Sequence, residues 1–155
     1  MRVGHGFDAH RFGEGRTLML GCVEVPHEPG LVGHSDGDAV AHALIDALLG
    51  AAALGDIGGM FPSSDERWAG AAGRELLERA ARRVRDAGWR IQNVDATVVA
   101  EEPRLAPYVA GMRRAIGEAL GIDITAVSVK ATTADGMGFT GRGEGIAAFA
   151  VVLLE

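Results

Sequence analysis

Cysteine, aromatic residues, basic charge and long apolar runs are all scarce in this chain. Cys22 is the single cysteine among 155 residues, so no intrachain disulfide can form, and a reducing cytoplasm suits such a protein. The formal net charge of −6 excludes the overall basic footprint of nucleic-acid-binding proteins and argues against bulk attraction to anionic membranes. No run of eighteen apolar residues is present, and the first ten residues lack the apolar core of a secretory signal. We therefore expect a cytoplasmic protein without nucleic-acid or membrane partners.

Glycine, by contrast, is abundant. The chain has 23 glycines, about twice the usual share, and two clusters, GDIGG and GMGFTGRGEG, are too dense to serve only as turns. Glycine lets backbone N–H groups approach a ligand closely, so the clusters favour an anion-binding function. With 48% hydrophobic and 23% charged residues over this length, we expect one globular domain that covers residues 1–155.

The hydrophobic pattern alternates between strands and helices along the chain. Strands are predicted at 2–8, 17–25, 91–100, 126–132 and 146–155, and helices at 37–53, 71–87 and 103–120. The segment 55–73 and the glycine-rich segment after 132 are predicted to be loops. This order indicates an α/β fold in a single domain, with a mixed β-sheet packed against helices. The last strand is apolar on both faces, so we expect helices or another subunit to bury both.

The stretch GHGFDAHRF places Asp8 and His10 two residues apart on a strand or at its end, so they project to the same side. Two ligands of one metal need this geometry. His42, among the alanines and leucines of the first predicted helix, is the candidate third ligand. An Asp, His, His set suits zinc, whose catalytic sites keep three protein ligands and one open position. Hard cations alone would require more oxygen ligands.

Structural explanations compete with this metal site. A histidine on an apolar helix face is more often a core residue, Asp8 could simply end a strand, and the H-E-x-x-H zinc motif is absent. Asp38 follows Ser35 by three residues, as in a capping box, which favours a helix-cap role for Asp38. Spacing alone leaves the metal site and its structural alternatives equally open.

A second motif, KATTADGMGFTGRGEG, follows a predicted strand directly. Its hydroxyl and free N–H groups suit phosphate oxygens, and Asp135 could hold a magnesium ion that bridges two phosphates. The spacing of a P-loop is absent, and no helix is predicted after the glycines, as a dinucleotide fingerprint would require. A β-hairpin loop and a solvated Arg142–Glu144 pair are the alternatives.

Four motifs in chain order together resemble the 2-C-methyl-D-erythritol 2,4-cyclodiphosphate synthase family of the non-mevalonate isoprenoid pathway. They read GHGFDAH, HSDGDAVAHALIDALLGAAALGDIG, FPSSD and KATTADGMGFTGRGEGIA, and the resemblance runs end to end. It implies a homotrimer assembled around sheet faces, with active sites between subunits. It also implies zinc on Asp8, His10 and His42, and Mg²⁺ or Mn²⁺ on Asp135.

The resemblance further implies a substrate and a reaction. The substrate is 4-diphosphocytidyl-2-C-methyl-D-erythritol 2-phosphate, whose 2-phosphate attacks the β-phosphorus, releases CMP and closes a cyclic diphosphate. His34 and Thr133 would stabilise the transition state. Ser35 would help to hold phosphate at the start of the helix, where N–H groups point outward.

The remaining positions implied by the resemblance bind substrate. Ala9 lies between the two ligands on the first strand. The methylerythritol pocket would comprise Asp56, Ile57, Gly58, Phe61, Pro62, Ser63, Ser64 and Asp65. Cytidine and its diphosphate would be held by Ala100, Glu101, Glu102, Pro103, Arg104, Leu105, Ala106, Thr132, Thr133, Ala134 and Asp135. Phe139 and Arg142 match further binding positions near the trimer axis.

Three positions depart from the family pattern, and two other functions compete with the synthase. Asp135 stands where glutamate is frequent, Ser63 where aspartate is common and Arg104 where lysine is usual. A zinc phosphohydrolase would share the ligands but needs a base and a path for water. A non-catalytic nucleotide-binding module would have no need of a tetrahedral ligand set.

Overall fold

The structure is a computed structural model that describes all 155 residues. Its seven strands are β1 (Arg2–Gly13), β2 (Leu18–Leu20), β3 (Val23–Val25), β4 (Gly30–Leu31), β5 (Ile91–Val99), β6 (Val127–Thr132) and β7 (Gly145–Leu154). Its helices are α1 (Ala39–Ala52), α2 (Ile57–Met60), α3 (Gly73–Asp86), α4 (Val109–Leu120) and α5 (Gly138–Gly141). One sheet has the order β4-β1-β7-β5-β6, with only β5 and β6 parallel, and β2 and β3 form a separate hairpin. The predicted α/β fold with a mixed sheet is confirmed.

The predicted strand at 17–25 is wrong as a single element, because the chain reverses in its middle. Gly21 and Cys22 have φ angles of 59° and 65°, so both central residues adopt left-handed backbone. Two such residues form the tight turn whose twist matches a β-hairpin. The reversal replaces one long strand by the β2–β3 hairpin.

The predicted helix at 103–120 begins later than expected, at Val109. A 3-10 turn at Ala106–Tyr108 precedes it and contains Pro107. Proline lacks an N–H donor and disfavours helical backbone in the residue before it, so the regular helix starts only after this turn.

Both glycine-rich segments predicted as loops contain short helical turns. The first holds α2 and a 3-10 turn at Glu66–Trp68, and the second holds α5. Turns of three or four residues are too short to leave an apolar period in the sequence. The β-hairpin alternative for the second segment is wrong, because β5 lies between β6 and β7 in the sheet.

Two glycines of β1 allow α1 to lie directly on the sheet. A Cβ atom at Gly4 would lie 1.9 Å from the Ala47 carbonyl oxygen, and one at Gly6 would lie 1.9 Å from that of Ala43. Helix α1 is alanine-rich and buried almost all round, between the sheet and α3. The close contact sets the first turn of α1 beside the part of β1 that follows Gly6.

The start of α1 is anchored by Asp38, which is fully buried. Its carboxylate accepts N–H bonds from Val40 and Ala41 at 3.1 and 3.0 Å, and from Gly21 and Cys22 at 2.8 and 2.7 Å. The predicted helix-cap role of Asp38 is confirmed, and the same side chain also ties the hairpin turn to the helix. Those bonds engage the Val40 and Ala41 N–H groups, so these two groups of the first turn are not free to bind phosphate.

The sheet face opposite α1 carries exposed apolar side chains. Phe7 and Phe149 are paired across β1 and β7 with ring centroids 5.0 Å apart, and they are 47% and 41% exposed. Val3 and Val151 extend the same face. Within one chain the expected burial of β7 on both faces therefore holds for one face only, because no helix covers the other. No helix in the structure is both long and apolar enough to cross a membrane.

Candidate metal centre and substrate cavities

Asp8, His10 and His42 converge at the junction of β1 and α1. Strand β1 continues to Gly13, beyond the predicted end at residue 8, so Asp8 and His10 follow Gly4 and Gly6 on one face. The Asp8 Oδ2 atom lies 2.8 Å from His10 Nε2 and 3.0 Å from His42 Nδ1, and the two nitrogens are 3.0 Å apart. The three potential ligand atoms thus meet at one point, as a metal site requires.

The outward nitrogen of each histidine has its own partner. His10 Nδ1 lies 2.6 Å from the Val32 carbonyl oxygen, to which it donates, and His42 Nε2 lies 3.0 Å from Ser35 Oγ. Such contacts fix ring orientation in metal sites and leave the other nitrogen directed at the metal. Ser35 therefore helps to orient the His42 ring and does not form the predicted capping box.

The charges within the cluster stabilise one another. Burial alone would raise the pKa of the Asp8 carboxyl, but hydrogen bonds from His10 and His42 outweigh burial and hold that pKa well below its usual range. Burial lowers the pKa of His10, but the Asp8 hydrogen bond and charge outweigh this and raise it. Both His10 nitrogens face oxygen acceptors, so a bound cation would take the place of the Nε2 proton.

The donor set fits a tetrahedral cation. Zinc bonds of roughly 2.0–2.1 Å would separate neighbouring ligand atoms by about 3.3 Å. The observed separations of 2.8–3.0 Å need only a few tenths of an ångström of adjustment. One carboxylate and two imidazoles leave a fourth position open, and they offer too few oxygens for calcium or magnesium alone. The cluster is therefore a possible metal-binding site.

A cavity of about 250 Å³ opens onto this cluster. Eleven residues line it: Asp8, His10, His34, Ser35, His42, Ile57, Gly58, Phe61, Ser63, Trp68 and Leu76. The last two were not predicted from the sequence. The Trp68 ring packs edge to face against Phe61, with ring centroids 4.9 Å apart. Its signal in the sequence was a large aromatic residue in a polar loop.

A second cavity, of about 220 Å³, has no lining residue in common with the first. It is lined by Ala100, Glu101, Pro103, Arg104, Leu105, Ala106, Ala131, Thr132 and Thr133. All but Ala131 belong to the predicted cytidine and diphosphate set. The structure therefore gathers part of each predicted set around one cavity, and it places His34 and Thr133 in different cavities of the chain.

Other predicted binding residues line neither of these two cavities. Glu102 and Arg142 line a third cavity of about 380 Å³, and Arg142 donates to Glu144 at 2.6 Å, as the solvated-pair alternative predicted. Asp56 caps α2 through the Gly59 N–H at 2.7 Å. The rest of this group consists of Ala9, Pro62, Ser64, Asp65, Ala134, Asp135 and Phe139.

Two carboxylates position the cavity walls. Asp46 was not predicted from the sequence, and Glu101 was predicted only as a residue of the cytidine pocket. Asp46 accepts from the Ile57 N–H at 2.7 Å and so ties α2 to α1. Glu101 accepts from the Ala134 and Gly136 N–H groups at 2.9 and 3.4 Å and holds the turn after β6. The signal for Asp46 was a lone carboxylate within an apolar helix, one turn after His42.

Comparison with known proteins identifies the family. The YgbB family model matches residues 1–155. A 2-C-methyl-D-erythritol 2,4-cyclodiphosphate synthase of Marinobacter nauticus is 57% identical over 155 residues, which cover 100% of this chain and 98% of that relative.

Solved structures agree with this match. The bifunctional IspDF of Campylobacter jejuni has a TM-score of 0.95 at 44% identity, over 99% of this chain and 42% of that chain. A CDP-bound 2C-methyl-D-erythritol-2,4-cyclodiphosphate synthase has a TM-score of 0.91 at 35% identity, over 99% of this chain and 100% of that chain. The chain therefore belongs to the YgbB family, the family of the 2-C-methyl-D-erythritol 2,4-cyclodiphosphate synthases.

Proposed function

We propose that the chain converts 4-diphosphocytidyl-2-C-methyl-D-erythritol 2-phosphate to 2-C-methyl-D-erythritol 2,4-cyclodiphosphate and CMP. The observation that carries this proposal is the convergence of Asp8, His10 and His42 at one cavity in a member of this family. An oxygen of the 2-phosphate forms a bond to the β-phosphorus, and the bond from that phosphorus to the oxygen bridging to the α-phosphate breaks. The attacking phosphate is already ionised near neutral pH, so the step needs no general base. Catalysis then depends on positioning and on charge stabilisation.

Asp8, His10 and His42 would hold Zn²⁺, and Asp135 would hold Mg²⁺ or Mn²⁺ at the diphosphate. When bound, these cations supply positive charge that lets an anionic phosphate approach a phosphorus surrounded by anionic oxygens. The Asp135 carboxylate accepts no hydrogen bond in its own turn, whereas its N–H donates to Thr133 Oγ1 at 3.3 Å. That arrangement supports the metal role, because the carboxylate stays free for an external partner.

His34 and Thr133 would complete one site from two subunits of a homotrimer. His34 lies at the metal cavity, and its Nε2 makes only a long contact of 3.4 Å to the Asp65 carbonyl oxygen, which leaves the ring able to meet a phosphate. Thr133 lies at the second cavity, and a neighbouring subunit would supply it to the metal cavity. The exposed sheet face around Phe7 and Phe149 supports such an assembly. We place this activity in one domain, residues 1–155, in the reducing cytoplasm, which the free thiol of Cys22 suits.

The deciding experiment follows the products. The chain, supplied with zinc and magnesium, is incubated with the diphosphocytidyl substrate, and the products are resolved by ³¹P NMR and chromatography. We expect CMP in equal amount to a cyclic diphosphate. A linear phosphate product would indicate a zinc phosphohydrolase instead, and binding without CMP release would indicate a nucleotide-binding module.

The assembly gives a second expected result. In sedimentation equilibrium the chain should behave as a species of three times its own mass of 16.1 kDa, because the apolar face around Phe149 and Val151 is otherwise exposed to water. Phe149→Asp should convert the trimer to smaller species and abolish CMP release, since each site would lose its second half. A monomeric wild-type chain with full activity would contradict the shared site.

Asp135→Asn tests the second cation. We expect tens- to hundreds-fold lower magnesium-dependent activity, because one carboxylate–metal contact in a partly exposed site contributes on the order of a few kcal/mol to the barrier. Asparagine also tolerates left-handed backbone, so the turn at φ 54° should survive. The measurement is a magnesium titration of CMP release, with zinc content determined in parallel and expected to be unchanged.

Asp135→Glu is the matched control for that variant. It keeps the charge and lengthens the arm, so activity should stay within a small factor of the wild-type value. If Asp135→Asn instead has the wild-type magnesium midpoint and rate, Asp135 serves only the turn.

A further inference from the structure

A groove of about 600 Å³ adjoins the metal cavity. Phe61 and Trp68 line both, so the two spaces share an aromatic wall. The far side of the groove is formed by helix α3, which contributes Arg79, Arg82 and Arg83. The groove therefore combines an apolar floor with three guanidinium groups next to the proposed catalytic site.

Two of these arginines have no partner within the chain. Of the five arginines in α3, Arg74 and Arg79 pair with glutamates of their own helix, and Arg85 donates to a backbone carbonyl of α4. The side chains of Arg82 and Arg83 form neither an ion pair nor a hydrogen bond. Glu75 neutralises Arg79, so at the groove the single carboxylate of Asp86 stands against two unpaired guanidinium groups, those of Arg82 and Arg83.

We propose that this groove is an outer binding site for the diphosphate group of an organic phosphate, beside the entrance to the metal cavity. Planar guanidinium groups bind phosphate oxygens through paired N–H donors. The chain as a whole carries a net charge of −6, which repels a phosphate-rich substrate. A local cluster of arginines would make the electrostatic potential positive at the groove, where the substrate approaches the metal cavity. The role of the groove in capturing substrate for the metal cavity rests on the proposed synthase function, whereas diphosphate binding by the groove does not.

Direct binding is measured with inorganic diphosphate as the probe. In a zinc-loaded Trp89→Phe background, Trp68 is the only tryptophan, and its fluorescence reports on the wall that the groove shares with the metal cavity, so the comparison of variants assigns the signal. We expect a saturable change whose affinity falls about tenfold in the Arg82→Ala/Arg83→Ala variant, since two charged contacts are removed and each is individually weak at an exposed site. Both positions are exposed on a helix, where alanine is well tolerated. Arg114→Ala, an exposed arginine of α4 away from the groove, is the matched control and should bind like wild type.

Steady-state kinetics tests the capture role. At low ionic strength the double variant should show about tenfold lower kcat/KM with unchanged kcat, and its kcat/KM should depend less on salt, because steering is an electrostatic effect on association. Diphosphate affinity and kcat/KM equal to those of Arg114→Ala would overturn the proposal. Failure of the wild-type chain to release CMP would overturn the synthase function, and the fluorescence titration would still decide whether the groove binds diphosphate.

Discussion

His42→Ala is expected to lose bound zinc and to lower CMP release by on the order of a thousandfold or more. His42 Nδ1 is one of three candidate ligand atoms, and only Asp8 and His10 would remain. Two ligands hold a tetrahedral cation poorly, and the charge stabilisation that depends on the cation is lost with it. The flanking residues Ala41 and Ala43 show that alanine fits this part of α1, so helix α1 should persist. Elemental analysis and a CMP assay on the purified variant measure both effects.

Ser35→Ala provides a graded comparison. It keeps all three ligands and removes only the hydroxyl 3.0 Å from His42 Nε2. Loss of such an outer contact typically lowers metal affinity by about 10- to 100-fold. Zinc affinity should therefore rank wild type above Ser35→Ala, and Ser35→Ala above His42→Ala. A His42→Ala protein with full zinc occupancy would remove His42 from the site.

Gly6→Ala is expected to destabilise the fold by about 3 kcal/mol or more, because the new methyl group meets backbone rather than a movable side chain. Its Cβ atom would lie 1.9 Å from the Ala43 carbonyl oxygen and 2.8 Å from the Ala47 nitrogen. Helix α1 would have to move away from β1 and carry His42 away from Asp8. Zinc affinity should therefore fall together with stability. Urea unfolding followed by circular dichroism, with a parallel zinc titration, measures the two changes.

Gly50→Ala is the control for that substitution. Gly50 lies in the same helix but faces open space, with no atom within 4 Å of an added Cβ. Alanine there should stabilise the protein by about 0.5–1 kcal/mol, since glycine carries an entropic cost in a helix interior. Equal effects of the two substitutions would mean that α1 does not depend on the close contact with β1.

The sequence by itself determined what depends on local pattern. Apolar periodicity located α1, α3, β5, β6 and β7 within a few residues, because each presents a long face to the core. The spacing of Asp8 and His10 placed both on one face of a strand, and Asp38 was identified as a helix cap from its position before the apolar run. Four motifs in order were sufficient to indicate the family. Local spacing could not tell whether His42 was a ligand or a core residue.

Only the tertiary structure decided which distant residues meet. Asp8 and His42 are 34 positions apart, and their contact depends on how closely α1 packs against Gly4 and Gly6. The hairpin turn at Gly21 is held by Asp38, a residue 17 positions away, so no short window predicts it. Packing between elements also places His34 and Thr133 in different cavities. The same packing puts the Arg82 side chain at a groove where it has no partner. The physical reason is that periodicity specifies the face a side chain occupies, whereas its neighbours across that face are set by sheet order, register and helix contact.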